Sequence, residues 1–496
     1  MNHYYQDNML FGMNPSSYLH RYAVNGKVSG NLACISEIKN AAVVLYSPRG
    51  CGFHYRCHVR SGQSPVYELE CADLRNNDVI FGGEKKLTAL LQKVEREQKP
   101  EIIFLLPSVV SDIINDDLAG LACSLQPQFK AKLVPITSQV FSHMDKSNGR
   151  KVLREKACQK QKQKFSSSAV YQGCGYVEVM DALVEQVMEP QRVQPRSVNI
   201  ETFAWGYNGE DKLQGMSEML QKMGITVNAY LPAADLQTIK KAPRAALNIV
   251  RRKKWALAME QRFGTPFLHV ADMQEWHGIE GISDLYRQIG KMLGCENAVE
   301  RVLQEEYERV AARYQELGAD FAKYKFSHGI AYLPDALRVY QQDYGLPITK
   351  ICIIMNPSYQ AETGLDDAMM QRFKDRIELA KAEYGCDAEI LLEPSEDALR
   401  EAAQSCDFVI CNGHPRYAAL DVPVLYNLFD RSVWSYQGFV DIMEEVWQML
   451  QQPQRTGSNL LLSKLAYDPV FYPMREADKD SKASRELYSR VWRQRK

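Results

Sequence analysis

The feature that most limits what this chain can fold into is a repeated alternation. Short β-branched runs take turns with stretches whose apolar residues recur at helical spacing, the pattern of parallel sheets built from βαβ units. In the first third, strands are predicted at Ala41 to Tyr46, Glu101 to Pro107 and Lys132 to Thr137, and Leu87, Leu90, Leu91 and Val94 fall on one helical face between them. A second series follows the stretch Pro190 to Pro195, which reads as a linker or turn. Its strands are Ser197 to Phe203, Thr226 to Leu231, Ala246 to Val250 and Pro266 to Val270. A helix through Leu213, Met216, Leu220 and Met223 stops at Gly224.

The third series opens with a long helix carrying Leu303, Tyr307, Val310, Tyr314, Leu317 and Phe321, expected to pack between domains. Strands follow at Lys350 to Met355, Ala388 to Leu392, Phe408 to Cys411 and Pro423 to Leu428, then a helix through Phe439, Met443, Val446 and Leu450. The fold class is therefore α/β, with parallel sheets flanked by helices in three units: residues 1–190, 191–300 and 301–496. The polar segment from Ala477 to Lys496 reads as a tail or partner-binding arm. Ligands in such sheets sit at the carboxyl ends of strands and in crevices between units.

Composition narrows the function classes. Lys and Arg number 60 against 61 Asp and Glu, so no global field draws the chain to nucleic acid or an anionic membrane. The longest apolar runs, such as Ile102 to Val110, are far short of the roughly 20 residues that cross a bilayer. The start, Met1 to Asp7, lacks the form of a signal peptide, and a cytoplasmic location is expected. Twelve cysteines are too sparse for a disulfide scaffold, and none forms a C-x-x-C pair, which argues against a self-contained four-thiolate site. The chain also lacks a GxxxxGK[ST] phosphate loop, so ATP is not expected to bind here.

Chemistry concentrates in Leu45-Tyr46-Ser47-Pro48-Arg49-Gly50-Cys51-Gly52-Phe53-His54-Tyr55. A strand runs into a tight turn, and Gly50 and Gly52 let the backbone bend closely around Cys51 at the strand's C-terminal edge. The turn's N–H groups can stabilise a thiolate or a cluster sulfide. Taken alone, a single cysteine after a strand fits a small packing residue better than a ligand.

The surroundings change that balance. The run Ala41 to Arg56 resembles the cluster-ligating turn of the nitrogenase component 1 superfamily, which includes nitrogenase, its cofactor-assembly scaffold and the dark-operative protochlorophyllide reductases. Asp78-Val79-Ile80-Phe81-Gly82-Gly83-Glu84-Lys85-Lys86-Leu87 resembles the family's entry into its next helix. Ser111 to Leu118 is similar to its turn and acidic pair, and Val134 to Ser142 to the strand after them. Leu213 to Leu231, Ala246 to Val270 and Val422 to Phe439 continue the likeness in the same order.

The resemblance implies three Rossmann-like domains and a [4Fe-4S] cluster shared with a partner subunit. Subunits of the α kind supply three cysteines to the bridging cluster. Here the outer two places hold Gly26 and Val109, so the chain resembles the β-type partner that gives a single ligand, Cys51. The family's large catalytic cofactor is held by a cysteine and a histidine, whose places here hold Arg252 and Leu428, so no such cofactor is expected.

The implied assembly is a heterodimer or heterotetramer with an α-type subunit. A separate ATP-dependent iron–sulfur reductase would deliver electrons to the shared cluster, which would pass them to a substrate held mainly in the partner. The main expectation is thus an oxidoreductase subunit; the alternatives are a non-catalytic scaffold for metallocofactor assembly and, more remotely, a metal-free binding protein. Cys34, His54, Cys57 and His58 lie near Cys51 in sequence or near an expected ligand place, and read better as packing or surrounding residues than as extra ligands. Arg251 to Lys254 reads as a solvated basic run, His414 as a structural or rim histidine, and Cys71, Cys123 and Cys174 as packing residues.

Overall fold

A computed structural model describes residues 27–53, 69–108, 111, 116–136, 172–202, 213–270, 276–324, 326–328, 337–353, 367–392, 394–411, 422, 424–426 and 433–451. The chain forms two compact units, one built from residues within 23–271 and 289–295, the other from 272–288 and from 296 onward.

The first unit begins with α1 (Lys27–Glu37), β1 (Ala41–Tyr46), β2 (Glu70–Cys71), α2 (Asn76–Phe81), α3 (Glu84–Gln98), β3 (Ile102–Pro107), α4 (Leu118–Leu125), β4 (Lys132–Pro135) and α5 (Gln172–Gln186). Its strands form a wholly parallel sheet in the order β2-β1-β3-β4. The paired central strands, AAVVLY and IIFLLP, are apolar at almost every position because both faces are covered. Period-two geometry then divides them. Val43, Leu45, Phe104 and Leu106 face α1 and α5, while Ala42, Val44, Ile103 and Leu105 face Leu87, Leu91 and Val94 of α3 and Leu118, Ala122 and Leu125 of α4.

The chain continues with β5 (Gln194–Glu201), α6 (Gln214–Lys222), β6 (Thr226–Leu231), α7 (Leu236–Lys240), β7 (Ala245–Val250), α8 (Lys253–Phe263) and β8 (Phe267–His269). These give a second parallel sheet in the order β6-β5-β7-β8. Trp255, Ala256 and Met259 of α8 join the same core as α1 and α5. Helix α8 ends where Gly264 takes the left-handed conformation at φ 74°, and its N–H reaches Glu260 O at 2.8 Å.

The second unit takes its helices from the first part of α9 (Gly278–Leu293), up to Gln288, and from α10 (Glu296–Phe321), α11 (Asp367–Tyr384), α12 (Glu396–Gln404) and α13 (Tyr436–Gln451). Strands β9 (Phe326–His328), β10 (Ile348–Ile353), β11 (Glu389–Leu392), β12 (Phe408–Cys411) and β13 (Val424–Tyr426) pair in the order β11-β10-β9-β12-β13, all parallel. Val310, Leu317 and Phe321 are buried on α10, which packs on α13, and Arg313 forks onto Glu444 at 2.5 and 2.8 Å.

The fold class is as expected, and three local readings are corrected. Strand β5 starts inside the stretch read as a linker, because a register shift against β7 between Gln194 and Val198 admits Pro195 and the left-handed Arg196. Strands β2 and β9 were not foreseen: two or three residues with Glu70, Ser327 and His328 among them carry no periodic signal. Among the described residues no helix is long and apolar enough to cross a membrane.

Candidate functional site

Cys51 lies in a helical turn, 49–53, that follows β1 directly, at the C-terminal edge of the first sheet. Its amide donates to Pro48 O at 3.1 Å, and its side chain is half-buried against the core shared by α1, α5 and α8. Gly50 has open space where a Cβ would be; Gly52 does not. A Cβ on Gly52 would stand 2.9 Å from Cys71 Cβ and 3.0 Å from Cys71 Sγ. The two glycines thus have different roles, one leaving room in front of the turn and the other admitting a second cysteine behind it.

Cys71 reaches this place because β2 pairs with β1, Leu45 opposite Cys71. Its thiol donates to Ser47 O at 3.3 Å and lies 3.7 Å from Pro48 O and 3.5 Å from Ser47 Oγ. Around the same edge, Tyr46 O–H donates to Asp116 at 2.7 Å and accepts from Gly83 N–H at 3.1 Å, and Ser111 Oγ donates to Tyr46 O at 2.6 Å. Burial and the Asp116 carboxylate push the Tyr46 hydroxyl far above its ordinary range. Of the acidic pair, Asp116 holds Tyr46 and Asp117 caps α4 through Gly120 N–H at 2.8 Å. Both are committed to structure. Phe53 in the turn (68% exposed) and Ile80 and Phe81 on α2 (70% and 84%) present apolar side chains to solvent.

The edge of the second sheet holds a different arrangement. Glu201, at the end of β5, accepts from the backbone N–H of Arg251 and Arg252 at 3.0 and 3.1 Å and from Trp255 Nε1 at 3.0 Å. The Arg252 guanidinium closes an ion pair on the same carboxylate and lies 3.7 Å from the centroid of the Tyr176 ring. The N-terminus of α8 is an anion-binding position by geometry, and here the protein's own carboxylate fills it. Reading Arg251 to Lys254 as a solvated run is therefore half wrong: Arg251 and Arg252 are buried, and only Lys253 and Lys254 meet solvent. A buried acid at the adjacent strand end, which the sequence alone did not pair with them, draws the two arginines inward.

Beside this pair, Glu37 accepts from Tyr176 O–H at 3.2 Å and from Thr202 Oγ1. Burial holds the Glu37 carboxyl up at about 7, against the downward pull of Thr202, Arg252 and Tyr176. Cys34, one turn earlier on α1, is fully buried, and burial beside Glu37 raises its thiol well above the ordinary range. It is a packing residue.

Of the predicted site residues, the structure brings Gly50, Cys51 and Gly52 together with Ser47 of the same segment and adds Cys71 and Ser111, which lie outside it. Only the strand pairing of a two-residue segment connects Cys71 with Cys51. Cys123 is exposed on α4, which corrects its reading as a packing residue; it falls on the solvent face of an eight-residue helix whose inner face is Leu118, Ala122 and Leu125. Gly26, His54, Cys57, His58, Val109, His414 and Leu428 lie outside the described residues, as does the side chain of Cys174. Among the described residues no three His, Cys, Asp or Glu side chains converge in a way that could hold a metal ion.

The profile of the nitrogenase component 1 type oxidoreductases matches residues 27–451. The nitrogenase iron-molybdenum cofactor biosynthesis protein NifE of Clostridium pasteurianum is 27% identical over 297 residues, 57% of this chain and 58% of that protein, so the match spans little more than half of each. NifE of Nostoc sp. (strain PCC 7120) is 23% identical over 443 residues, covering 86% of this chain and 82% of that one. The nitrogenase molybdenum-iron protein alpha chain of Methanothermobacter marburgensis is 23% identical over 298 residues, covering 56% and 57%. Among solved structures, nitrogenase Cp1 at pH 5 superposes with a TM-score of 0.56 at 15% identity over 90% of this chain and 89% of that one, a likeness of fold.

Proposed function

We propose, from the premise that this chain belongs to the nitrogenase component 1 type oxidoreductase family, that it is a subunit of a scaffold complex on which a metallocofactor is assembled. The observation that carries this reading is its similarity to cofactor biosynthesis proteins, which in the Nostoc relative runs over 86% of the chain. The buried Glu201–Arg252 pair bears on where a cofactor would sit and fits either a scaffold or a reductase reading. With its own carboxylate and guanidinium filling the edge of the second sheet, this chain leaves a large anionic cofactor to be held elsewhere.

In this reading Cys51 supplies one thiolate to a [4Fe-4S] cluster, and a second subunit of the same family supplies the rest. When bound, such a cluster passes single electrons between proteins. Cys51 fixes one corner of it, the open space at Gly50 allows close approach, and the backbone N–H groups of the turn offset the thiolate's charge. Exposed Phe53, Ile80 and Phe81 on the same edge support burial against another chain. ATP would act only on a separate reductase. A division into domains 1–190, 191–300 and 301–496 is part of the same proposal, supported by one parallel sheet in each.

Anaerobic co-purification with its partner subunit tests the ligand. Cys51→Ala should lower bound iron, and full iron content in that variant would refute the assignment. A second reading, an electron-transferring subunit of a substrate reductase, draws on the similarity to the nitrogenase alpha chain. A scaffold hands its cluster to an acceptor protein and is left depleted; a complex that reduces a substrate through many turnovers with its metal retained would favour the reductase.

A further inference from the structure

Cys71 packs against the core shared by α1, α5 and α8 and also makes polar contacts at the end of β1. Its strand is two residues long, and the backbone beside it is tied to the end of β1 by Ala72 N–H to Leu45 O at 2.9 Å and Leu74 N–H to Ser47 O at 3.0 Å. From there the thiol turns toward the carbonyls of Ser47 and Pro48. Pro48 O is the same acceptor that receives Cys51 N–H at 3.1 Å and Ser47 Oγ at 3.0 Å. Two donors thus meet on this carbonyl with the Cys71 sulfur 3.7 Å away, and one of them is the amide of the proposed ligand.

We propose that Cys71 is a positioning residue for Cys51: its thiol, seated in the space left by Gly52, donates to the Ser47 carbonyl beside Pro48 and so fixes the backbone from which Cys51 presents its sulfur. The proposal rests on the reading of Cys51 as a cluster ligand and deepens it. Gly52 and Cys71 are complementary, since a Cβ at position 52 would meet Cys71 at 2.9 Å. A thiol suits the place because it is a small apolar body with a weak donor, able to lie against the core and still reach a carbonyl. Neither role makes Cys71 a ligand; its S–H is directed at the chain's own backbone.

The test compares C71S, which keeps a donor, with C71A, which removes it, and with C71V, which fills the volume without one and serves if C71A fails to fold. In the full chain alone, amide hydrogen exchange in the 47–53 turn should rise about threefold or more in C71A and C71V, remain near wild type in C71S, and stay unchanged in β3 and β4. Exchange in the turn equal to wild type in both donor-free variants overturns the proposal. In the anaerobic complex, C71A should shift the cluster's electron paramagnetic resonance signal and midpoint potential, with C71S restoring both. An unshifted signal in C71A, in a complex whose Cys51→Ala variant has lost its cluster, also overturns it. If Cys51→Ala keeps all its iron, the ligand reading falls instead, and the exchange measurement still decides whether Cys71 holds the turn.

Discussion

Arg252 pairs with Glu201 in a contact from which water is shut out, the side chains being 3% and 0% exposed. Desolvating two charges costs several kcal/mol, offset only because Glu201 also accepts two backbone N–H groups and the Trp255 indole. Removing one partner strands the other. Arg252→Ala should therefore lose about 3 to 5 kcal/mol of stability, measured by chemical denaturation of the full chain. The double variant E201Q/R252M should be more stable than R252A, because no unpaired charge is left behind. A loss under about 1 kcal/mol in R252A would show that water screens the pair.

The neighbouring Glu37 makes stability depend on pH. Cys34 on its own helix, Tyr176 on α5, Thr202 and Glu201 at the end of β5, and Arg252 before α8 face it, and burial outweighs the groups that favour its charge. With its folded value near 7 and its ordinary value 4.5, the native state binds the proton more tightly than the unfolded chain does. Its contribution is whole below pH 4.5 and is lost as pH rises through 7, about 3 kcal/mol in all. Glu37→Gln should flatten the fall in stability over that window. Asp343, also raised to about 7 by burial, acts with the same sign and would keep its own share of the slope. Unchanged slopes in E37Q would mean that Glu37 is ionised in the folded protein at neutral pH.

How much of this could be read beforehand follows from the range of the signals. β1, β6 and β12 appear at the bounds their sequences suggest, because β-branched runs between turn residues report on themselves. The position of Cys51 was legible for the same reason, at the end of such a run between two glycines, whereas its proposed role as a ligand came from the resemblance and not from the local pattern. Cys71 was not, since its partner is 24 residues away through β2, a strand too short to have a period. Arg252 looked like part of a charged surface because charge runs usually are; the acid that buries it lies 51 residues earlier on a different strand. Local pattern fixes elements, whereas pairing across elements fixes sites.

The two glycines of the turn give a paired prediction. Gly52→Ala would force a methyl group to 2.9 Å from Cys71 Cβ, so the turn or β2 must shift, at a cost of about 1 to 3 kcal/mol. Gly50→Ala meets nothing within 4 Å and sits in a helical turn where alanine is at no disadvantage, so its stability should change by less than about 0.5 kcal/mol. Thermal denaturation of both variants separates them. Equal effects would mean that Cys71 does not press on position 52.

His277 supplies the opposite pH response in the second unit. Burial, with the Arg338 charge adding to it, pushes its imidazole down to about 3. The ring shares a hydrogen bond of 2.8 Å with Tyr344 O–H and stands edge-on to Phe439 at 5.6 Å. A histidine kept neutral in the fold but free to protonate when unfolded contributes stability that is whole above pH 6.5 and is lost as pH falls toward 3. That acid-side loss opposes the gain from Glu37 and Asp343, but one histidine offsets only one of the two carboxyls, so between about pH 4.5 and 6.5 stability should still fall with rising pH, about half as steeply as it would without His277. His277→Gln keeps a polar partner for Tyr344 without a titrating ring, so it should be less sensitive to acid than the wild type even if it is weaker at pH 7. Following the imidazole resonance of His277 from pH 8 to 5 checks the cause directly. A midpoint near 6.5 would mean that water reaches the ring, and the acid-side slope would then need another source.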